Sequence, residues 1–360
     1  MRVLMISKAL VVGAYQRKLE ELASLPGVEL LAVIPPEWRE GGHTLRYEPL
    51  FRQGYQTVLL PLALNGHYHL HFYRGLHAVI ERFQPEIIHL DEEPADVVAL
   101  QAVALAGRAR LIFFTWQNLL RRVPPPFSII QRRTFQRAGM ALCGNRAAVD
   151  VLRAKGYCGP TRVVPQFGCD TDLFASHRRE CHPDQPFLIG SAGRLVPEKG
   201  MDLVIGAAAR LERPWRLEIA GDGPEAAALQ RLAGRLGVAG RVAFLGRRPS
   251  AEMPALLARW DVLVMASRSR PNWQEQFGRS AVEAMSCGTP VIVSRSAELP
   301  NVVGDAGLTF PEDDAGALLA CLKRLAASPE LRRQLGAAGR ARVLAHFTQR
   351  AVATATYAAY

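Results

Sequence analysis

Two α/β domains built on parallel sheets are what the sequence predicts, on three observations. At 360 residues the chain is long for one domain and comfortable for two, each able to bury a core. Short apolar runs of strand length alternate with amphipathic stretches of helical period. The alternation restarts midway, at PFLIGSAGRL, after a polar, proline-containing stretch CHPDQP at residues 181–186. Sheets of this kind bind ligands outside the carboxyl ends of their strands, so two such domains facing each other would bind in the cleft between them.

In chain order, RVLMIS reads as a first strand; Lys8 interrupts the apolar run and no small-residue cleavage site follows, which argues against a leader peptide. AYQRKLEELASL is a helix, VELLAVIP a strand, and a polar irregular stretch follows. EIIHL, ADVVALQAVALAG, LIFFTW and MALCGN continue the strand and helix rhythm, and TRVVPQFGCDTDLF closes the first half. The second half runs through FLIGSA, GMDLVIGAAARL, WRLEIAGDG, EAAALQRLAGRLG, RVAFLGR, MPALLARW and DVLVMAS. From PELRRQ to the end the pattern is helical without a strand, and this tail is expected to return to the first domain. The domains are therefore read as 1–172, 173–344 and a crossing helix at 345–360.

Composition narrows the function classes. No uncharged apolar run approaches the ~18 residues of a membrane span. The six cysteines show no paired spacing of the zinc-binding kind, and fit reduced thiols in the cytosol. The net charge of +11 comes almost wholly from Arg in a chain rich in Ala, Gly and Pro, so it is not read as a nucleic-acid signal. One local feature stands out. Between Asp96 and Asp150 there is no acidic residue while eight Arg occur, a segment suited either to an anionic lipid surface, as a peripheral contact, or to an anionic acceptor. His67, His69 and His71, at alternate positions, would share one face of a strand, as an acceptor wall or, less readily, as metal ligands.

The stretch RSRPNWQEQFGRSAVEAMSCGT, residues 268–289, is the chemical centre of the chain. Pro271 and Gly278 place Glu275 in a loop ahead of a helix, and Glu283 lies within that helix, which Gly288 and Pro290 end. The backbone amides from Phe277 through Gly278 and Arg279 to Ser280 face a helix N-terminus, a natural anion site. Two carboxylates beside an anion suit the hydroxyls of a sugar and a ribose joined to a phosphate; spacing alone equally fits an ordinary αβ unit with solvated glutamates. Upstream, GRLVPEKG sets Arg194 and Lys199 after a strand, where both can meet one diphosphate. AGDGP, at 220–224, reads as a structural turn.

EQFGRxxxEAMxxGxPV, with GRLVPEKG, IAGDGP, FLGR and PQFGCDTDLF, resembles the signature of the family-4 retaining glycosyltransferases; the likeness covers nearly the whole second half, and the first half matches in rhythm. The resemblance implies a GT-B fold and transfer of a sugar from a UDP- or GDP-sugar to a glycan, lipid-linked or small-molecule acceptor, without a metal or other cofactor. It implies that Arg194 and Lys199 hold the diphosphate, that Glu275 meets sugar hydroxyls, and that Glu283 takes the ribose hydroxyls. Backbone groups from Phe277 to Ser280 would assist at the sugar and phosphate. In the first half Gly13 would approach the phosphates, although the paired glycines of many members are absent. Gln117 stands where many members have a histidine, and could still bond a sugar hydroxyl. A nucleotide-sugar epimerase of the same fold and a non-catalytic subunit are the alternatives.

Overall fold

The computed structural model describes residues 1–40, 42–175 and 185–360, so most of the CHPDQP stretch lies outside the described residues. The chain divides into two compact units, Met1–Gly168 with Gln349–Tyr360, and Cys169–Thr348. The sequence reading sets the limits at 172 and 344 instead. At the first crossing Cys169 N donates to Phe347 O at 2.7 Å, and at the second Gly168 and Gln349 exchange hydrogen bonds of 3.1 and 2.9 Å.

The first unit holds β1 (Arg2–Ile6), β2 (Glu29–Ile34), β3 (Glu37–Glu40), β4 (His43–Arg46), β5 (Gln56–Leu59), β6 (Leu62–Ala63) and β7 (Phe72–Tyr73). It continues with β8 (Ile87–Leu90), β9 (Arg110–Thr115), β10 (Ala138–Cys143) and β11 (Thr161–Val163). Seven of them form a parallel sheet in the order β11-β10-β9-β8-β1-β2-β5, and β3-β4 and β6-β7 are small antiparallel pairs. Alternate residues of β1 enter opposite core layers, Leu4 and Ile6 on one face, Val3 and Met5 on the other. Both faces are therefore buried, which is why these strands are continuously apolar rather than alternating. The polar stretch after β2 carries more structure than its sequence suggests. There β5 is an edge strand with half-exposed or exposed side chains, so burial imposes no apolar pattern that could betray it.

Gln349–Tyr360 is grouped with the first unit. The helix Gln349–Tyr357 lays Val352 and Ala353 into the layer that holds Leu19 and Leu22 of the helix Arg17–Ala23. Tyr357 OH donates to Pro26 O at 3.2 Å, and Arg350 bonds Ser24.

The second unit contains β12 (Phe187–Ala192), β13 (Trp215–Ala220), β14 (Val242–Gly246), β15 (Val262–Met265), β16 (Val291–Ser294) and β17 (Leu308–Phe310). All are parallel, in the order β14-β13-β12-β15-β16-β17. Counted within the sheet this is 3-2-1-4-5-6, the doubly wound Rossmann order. The first unit repeats it with one more strand at an edge. Each unit therefore has a switch point, where the chain leaves one strand to one side and returns on its neighbour: β1 and β8 in the first unit, β12 and β15 in the second. At such points the loops past the strand ends diverge and leave a crevice. No helix among the described residues is long and apolar enough to cross a membrane.

Candidate functional site

The loops past β12 and β15, at the switch point of the second unit, bring together residues far apart in sequence. Past β12 a short turn Pro197–Lys199 leads into the helix Met201–Ala208. The glycine between them takes φ +62°, and a Cβ there would meet Ala266 O at 2.0 Å, so Gly200 lets the Lys199 loop lie against the end of β15. Past β15, Arg270 and Trp273 close a tight turn on each other through paired backbone bonds of 2.8 and 3.1 Å, which carries the chain to Glu275.

Lys199 Nζ donates to Glu275 Oε2 at 2.6 Å, and Ser267 Oγ donates to the same oxygen at 3.0 Å. The Lys199 ammonium also lies 5.1 Å from the Trp273 ring centre. Glu275 is buried and Lys199 half-buried. A desolvated carboxylate is tolerated only when charge and donors meet it, and here both do. The helix Arg279–Ser286 begins after Gly278, with Ala281, Val282, Ala284 and Met285 packed in the core beside Leu299. Glu283 accepts from Arg279 Nε at 2.9 Å, one turn away. Burial raises the Glu283 carboxyl above its ordinary range, against the pull of Arg279. The backbone from Phe277 to Ser280 forms the entry and first turn of this helix. Arg194 is exposed, in the loop directly after β12. The AGDGP turn and the residue after it dock on this loop by backbone bonds, Leu195 N to Asp222 O at 2.9 Å and Glu225 N to Leu195 O at 3.0 Å.

Three residues that sequence reasoning passed over hold the arrangement. Arg268, buried, forks onto both oxygens of Asp202 at 2.7 and 2.8 Å and onto Asp313, while its backbone N bonds Glu198 O at 2.8 Å. It thereby ties the loop past β15 to the loop that carries Lys199. Ser267 and Trp273 complete the set. A serine ending the run DVLVMAS and an arginine directly after it were the available signal, though such residues commonly sit there as solvated loop.

Gly13 and Gln117 belong to the first unit. Gly13 N donates to Glu48 Oε2 at 3.3 Å, and a Cβ at Gly13 would lie 2.5 Å from Leu50 Cγ, so close packing of 48–50 accounts locally for that glycine. Gln117, past β9, accepts from Lys155 Nζ at 2.6 Å. The histidines depart from expectation. His67 to His71 lie in turns, not on a strand, because their backbone amides bond within the segment, as His71 N does to His67 O at 3.1 Å. They share no face. His71 is buried with Nδ1 2.8 Å from Tyr68 O, whereas the exposed His69 puts Nδ1 2.7 Å from the buried Asp96 Oδ1. That hydrogen bond raises the His69 pKa above its ordinary value. Among the described residues, no group of three or more His, Cys, Asp or Glu is placed to hold a metal ion.

At the first unit's switch point Lys8 bonds Glu92 by side chain and by backbone, the latter at 2.7 Å. Burial works against the Glu92 charge, but Lys8 and His71 outweigh it and hold the carboxyl at about 2. Beside it Glu93 accepts from Thr115 Oγ1 at 2.6 Å and from Trp116 N at 2.8 Å. Desolvation pushes that carboxyl up to about 7.

Residues 174–342 match the model of the family described as glycosyl transferases group 1. The lipopolysaccharide core biosynthesis glycosyltransferase LpsE of Rhizobium meliloti is 30% identical over 338 residues, 91% of this chain and 89% of that protein. A GDP-mannose-dependent alpha-(1-6)-phosphatidylinositol monomannoside mannosyltransferase of Mycolicibacterium smegmatis is 36% identical over 199 residues, 51% of this chain and 52% of that one. The chain thus spans only about half the length of several curated relatives it matches. Among solved structures, a sucrose-phosphate synthase from Thermosynechococcus elongatus superposes with a TM-score of 0.71 at 20% identity, over 99% of this chain and 98% of that one. Anabaena HepE in complex with UDP and glucose does so with 0.70 at 19% identity, over 99% and 98%. These likenesses establish a fold of two Rossmann-like domains in series, the GT-B plan.

Proposed function

Because the chain belongs to the glycosyl transferases group 1 family, we propose that it moves a sugar from a UDP- or GDP-sugar to a hydroxyl of a glycan or lipid-linked acceptor, with retention and without a metal ion. The observation that carries the reading is the Lys199–Glu275 pair at a Rossmann switch point, with Glu283 one helix further on. Lys199 and Arg194 are the cations for the diphosphate, and they offset the charge that grows on the nucleoside diphosphate as it departs. Glu275 is the acceptor for sugar hydroxyls, and Glu283 for the ribose.

The bond between the anomeric carbon and the leaving phosphate oxygen breaks as the acceptor oxygen bonds to that carbon on the same face. The acceptor's hydroxyl proton passes to the departing phosphate, so no side-chain base is required. Relatives named for GDP-mannose and for α-linked products support a GDP-sugar as the first donor to try, and the HepE complex with UDP keeps UDP-sugars beside it. The relatives' names, with phosphatidylinositol monomannoside and lipopolysaccharide core, support a lipid-linked or glycan acceptor.

The test is a thermal-shift screen against GDP-, UDP- and ADP-sugars, with and without EDTA, on the wild type and Glu283→Ala. Ligand at about a hundred times its dissociation constant adds roughly 2.7 kcal/mol to the state that binds it. A shift with one nucleotide, unchanged by EDTA and weakened in the variant, supports the reading. Silence across the panel would return the chain to a non-catalytic role. The anomeric configuration of the product, read by NMR, then decides retention.

A further inference from the structure

β17 ends at Phe310, and the residues that follow, PEDD, make a tight turn closed by Asp314 N on Pro311 O at 3.3 Å. Asp314 caps the helix Ala315–Ala327, its side chain accepting from Ala317 N at 2.8 Å. Capping thus leaves the two central residues of the turn, Glu312 and Asp313, to other partners. Asp313 takes φ +60°, a left-handed conformation that a residue with a Cβ holds only against a cost. Both side chains reach the loop past β15. Asp313 meets Arg268, and Glu312 meets the next residue, taking Ser269 N on Oε2 and Ser269 Oγ on Oε1 at 2.7 Å each.

These oxygens go to a neutral residue of the loop and not to a cation. A carboxylate that binds the amide and the hydroxyl of one residue fixes that residue's position and its orientation together. The neighbours of Ser269 are fastened as well. Ser294, the last residue of β16, donates its hydroxyl to Ser267 O at 2.5 Å, Ser296 Oγ lies 3.3 Å from Ser269 Oγ, and Arg268 holds Asp202. The turn closed by Arg270 and Trp273 therefore starts from a fixed point, and Glu275 lies two residues beyond it.

We propose that Glu312 is a positioning residue for Glu275: its grip on Ser269 sets where the Arg270–Trp273 turn begins, and so where that carboxylate is presented. The proposal deepens the transferase reading and rests on it only in taking sugar hydroxyls as what Glu275 binds. Support of this kind decides whether a site is present in a usable geometry or merely present.

Glu312→Ala removes both bonds. Glu312→Gln keeps them without the charge, its amide oxygen accepting from Ser269 N and its amide nitrogen donating to Ser269 Oγ. Ser269→Ala removes the hydroxyl arm alone and carries the test should Glu312→Ala not fold. Two readouts are taken on the full chain. Acrylamide quenching of Trp273 reports the loop with no ligand present; the chain has five tryptophans, so each protein is compared with its Trp273→Phe counterpart. Calorimetric titration with UDP, GDP, UDP-glucose and GDP-mannose then separates the sugar from the nucleotide. Quenching is expected to rise in Glu312→Ala, to rise less in Ser269→Ala, and to stay at the wild-type level in Glu312→Gln. Affinity for the nucleotide sugar should fall about tenfold in Glu312→Ala, inside the roughly hundredfold that a misplacement of about 1 Å can cost, while affinity for the free nucleotide holds. Unchanged quenching in Glu312→Ala and Ser269→Ala overturns the proposal. So does a loss shared equally by free nucleotide and nucleotide sugar, or a Glu312→Gln as impaired as Glu312→Ala, since charge and not the two bonds would then be the cause. If the wild type binds none of the four compounds, the transferase reading fails, and quenching alone decides the positioning.

Discussion

Lys199 and Glu275, 76 residues apart, share a hydrogen-bonded ion pair of 2.6 Å at the strand ends of the second unit. The pair has a chemical consequence. Each partner neutralises the other before substrate arrives, and on the proposed reading an incoming diphosphate and sugar would find a cation and an acceptor already positioned and need not order them. Glu275 is further held by Ser267, and the Lys199 loop by Arg268.

Lys199→Ala and Arg194→Ala should each cost about 3 kcal/mol of transition-state stabilisation, roughly a hundredfold in turnover. Steady-state kinetics with the donor found in the thermal-shift screen measure it. Turnover near wild type in both variants would exclude these cations from stabilising the leaving diphosphate.

Glu283→Ala should weaken nucleotide binding by about 1.5–3 kcal/mol, the worth of a hydrogen bond made with a charged group. The fold should tolerate the change, because Arg279 is exposed and remains solvated without its partner. Calorimetric titration with the free nucleoside diphosphate checks it. Full affinity in a folded variant would remove the ribose role.

Gly278→Ala tests the entry to the same helix. Gly278 has φ +84°, and a Cβ there would stand 2.3 Å from Leu299 Cδ2 in the core. Both strain and overlap oppose a side chain, so a loss of about 1–3 kcal/mol is expected in urea unfolding. Donor affinity should fall further than stability alone explains, because the Phe277–Ser280 backbone moves with the residue. A variant as stable as wild type would show that Leu299 yields freely.

How much of this was legible in the sequence follows from what burial does to side chains. Strands such as FLIGSA and DVLVMAS are covered on both faces, so they announce themselves as apolar runs, and the restart at PFLIGSAGRL marks the second sheet. Two of the four edge strands carry no such mark. Residues 56–59 and 308–310 pair with one neighbour each and went unread. Lys199, Glu275 and Glu283 were readable as candidates because the motif names them, and the fold pairs the first two. Arg268 was missed, since its partners Asp202 and Asp313 come from distant segments that only the fold unites. The histidines failed for the opposite reason. Their period of two is a strand signal, and the turn bonds from His67 to His71 overrode it. The acid-free arginine segment was visible from composition, but the convergence of Arg121, Arg122 and Arg132 on one cavity required the helix Phe127–Arg137 in place.

Glu93 should make stability depend on pH in a window that wild type shows and Glu93→Gln does not. The carboxyl ionises near 4.5 in the unfolded chain and at about 7 in the folded one, where burial outweighs its bonds to Thr115 and Trp116. Between those values the unfolded chain has released a proton that the folded chain still holds. Stability therefore falls as pH rises through the window, by about 1–3 kcal/mol, and levels off above pH 7. In Glu93→Gln the amide oxygen can accept from Trp116 N and the amide nitrogen can donate to Thr115 Oγ1, so the variant keeps the local bonds without the titration. Asp96 raises the His69 pKa and burial lowers that of His89; both histidines are common to the two proteins, so the difference removes their share. Melting curves at half-unit steps from pH 5 to 8 should show a wild-type-minus-variant difference that declines with pH. A flat difference would mean that Glu93 is ionised throughout, with its hydrogen bonds offsetting the desolvation.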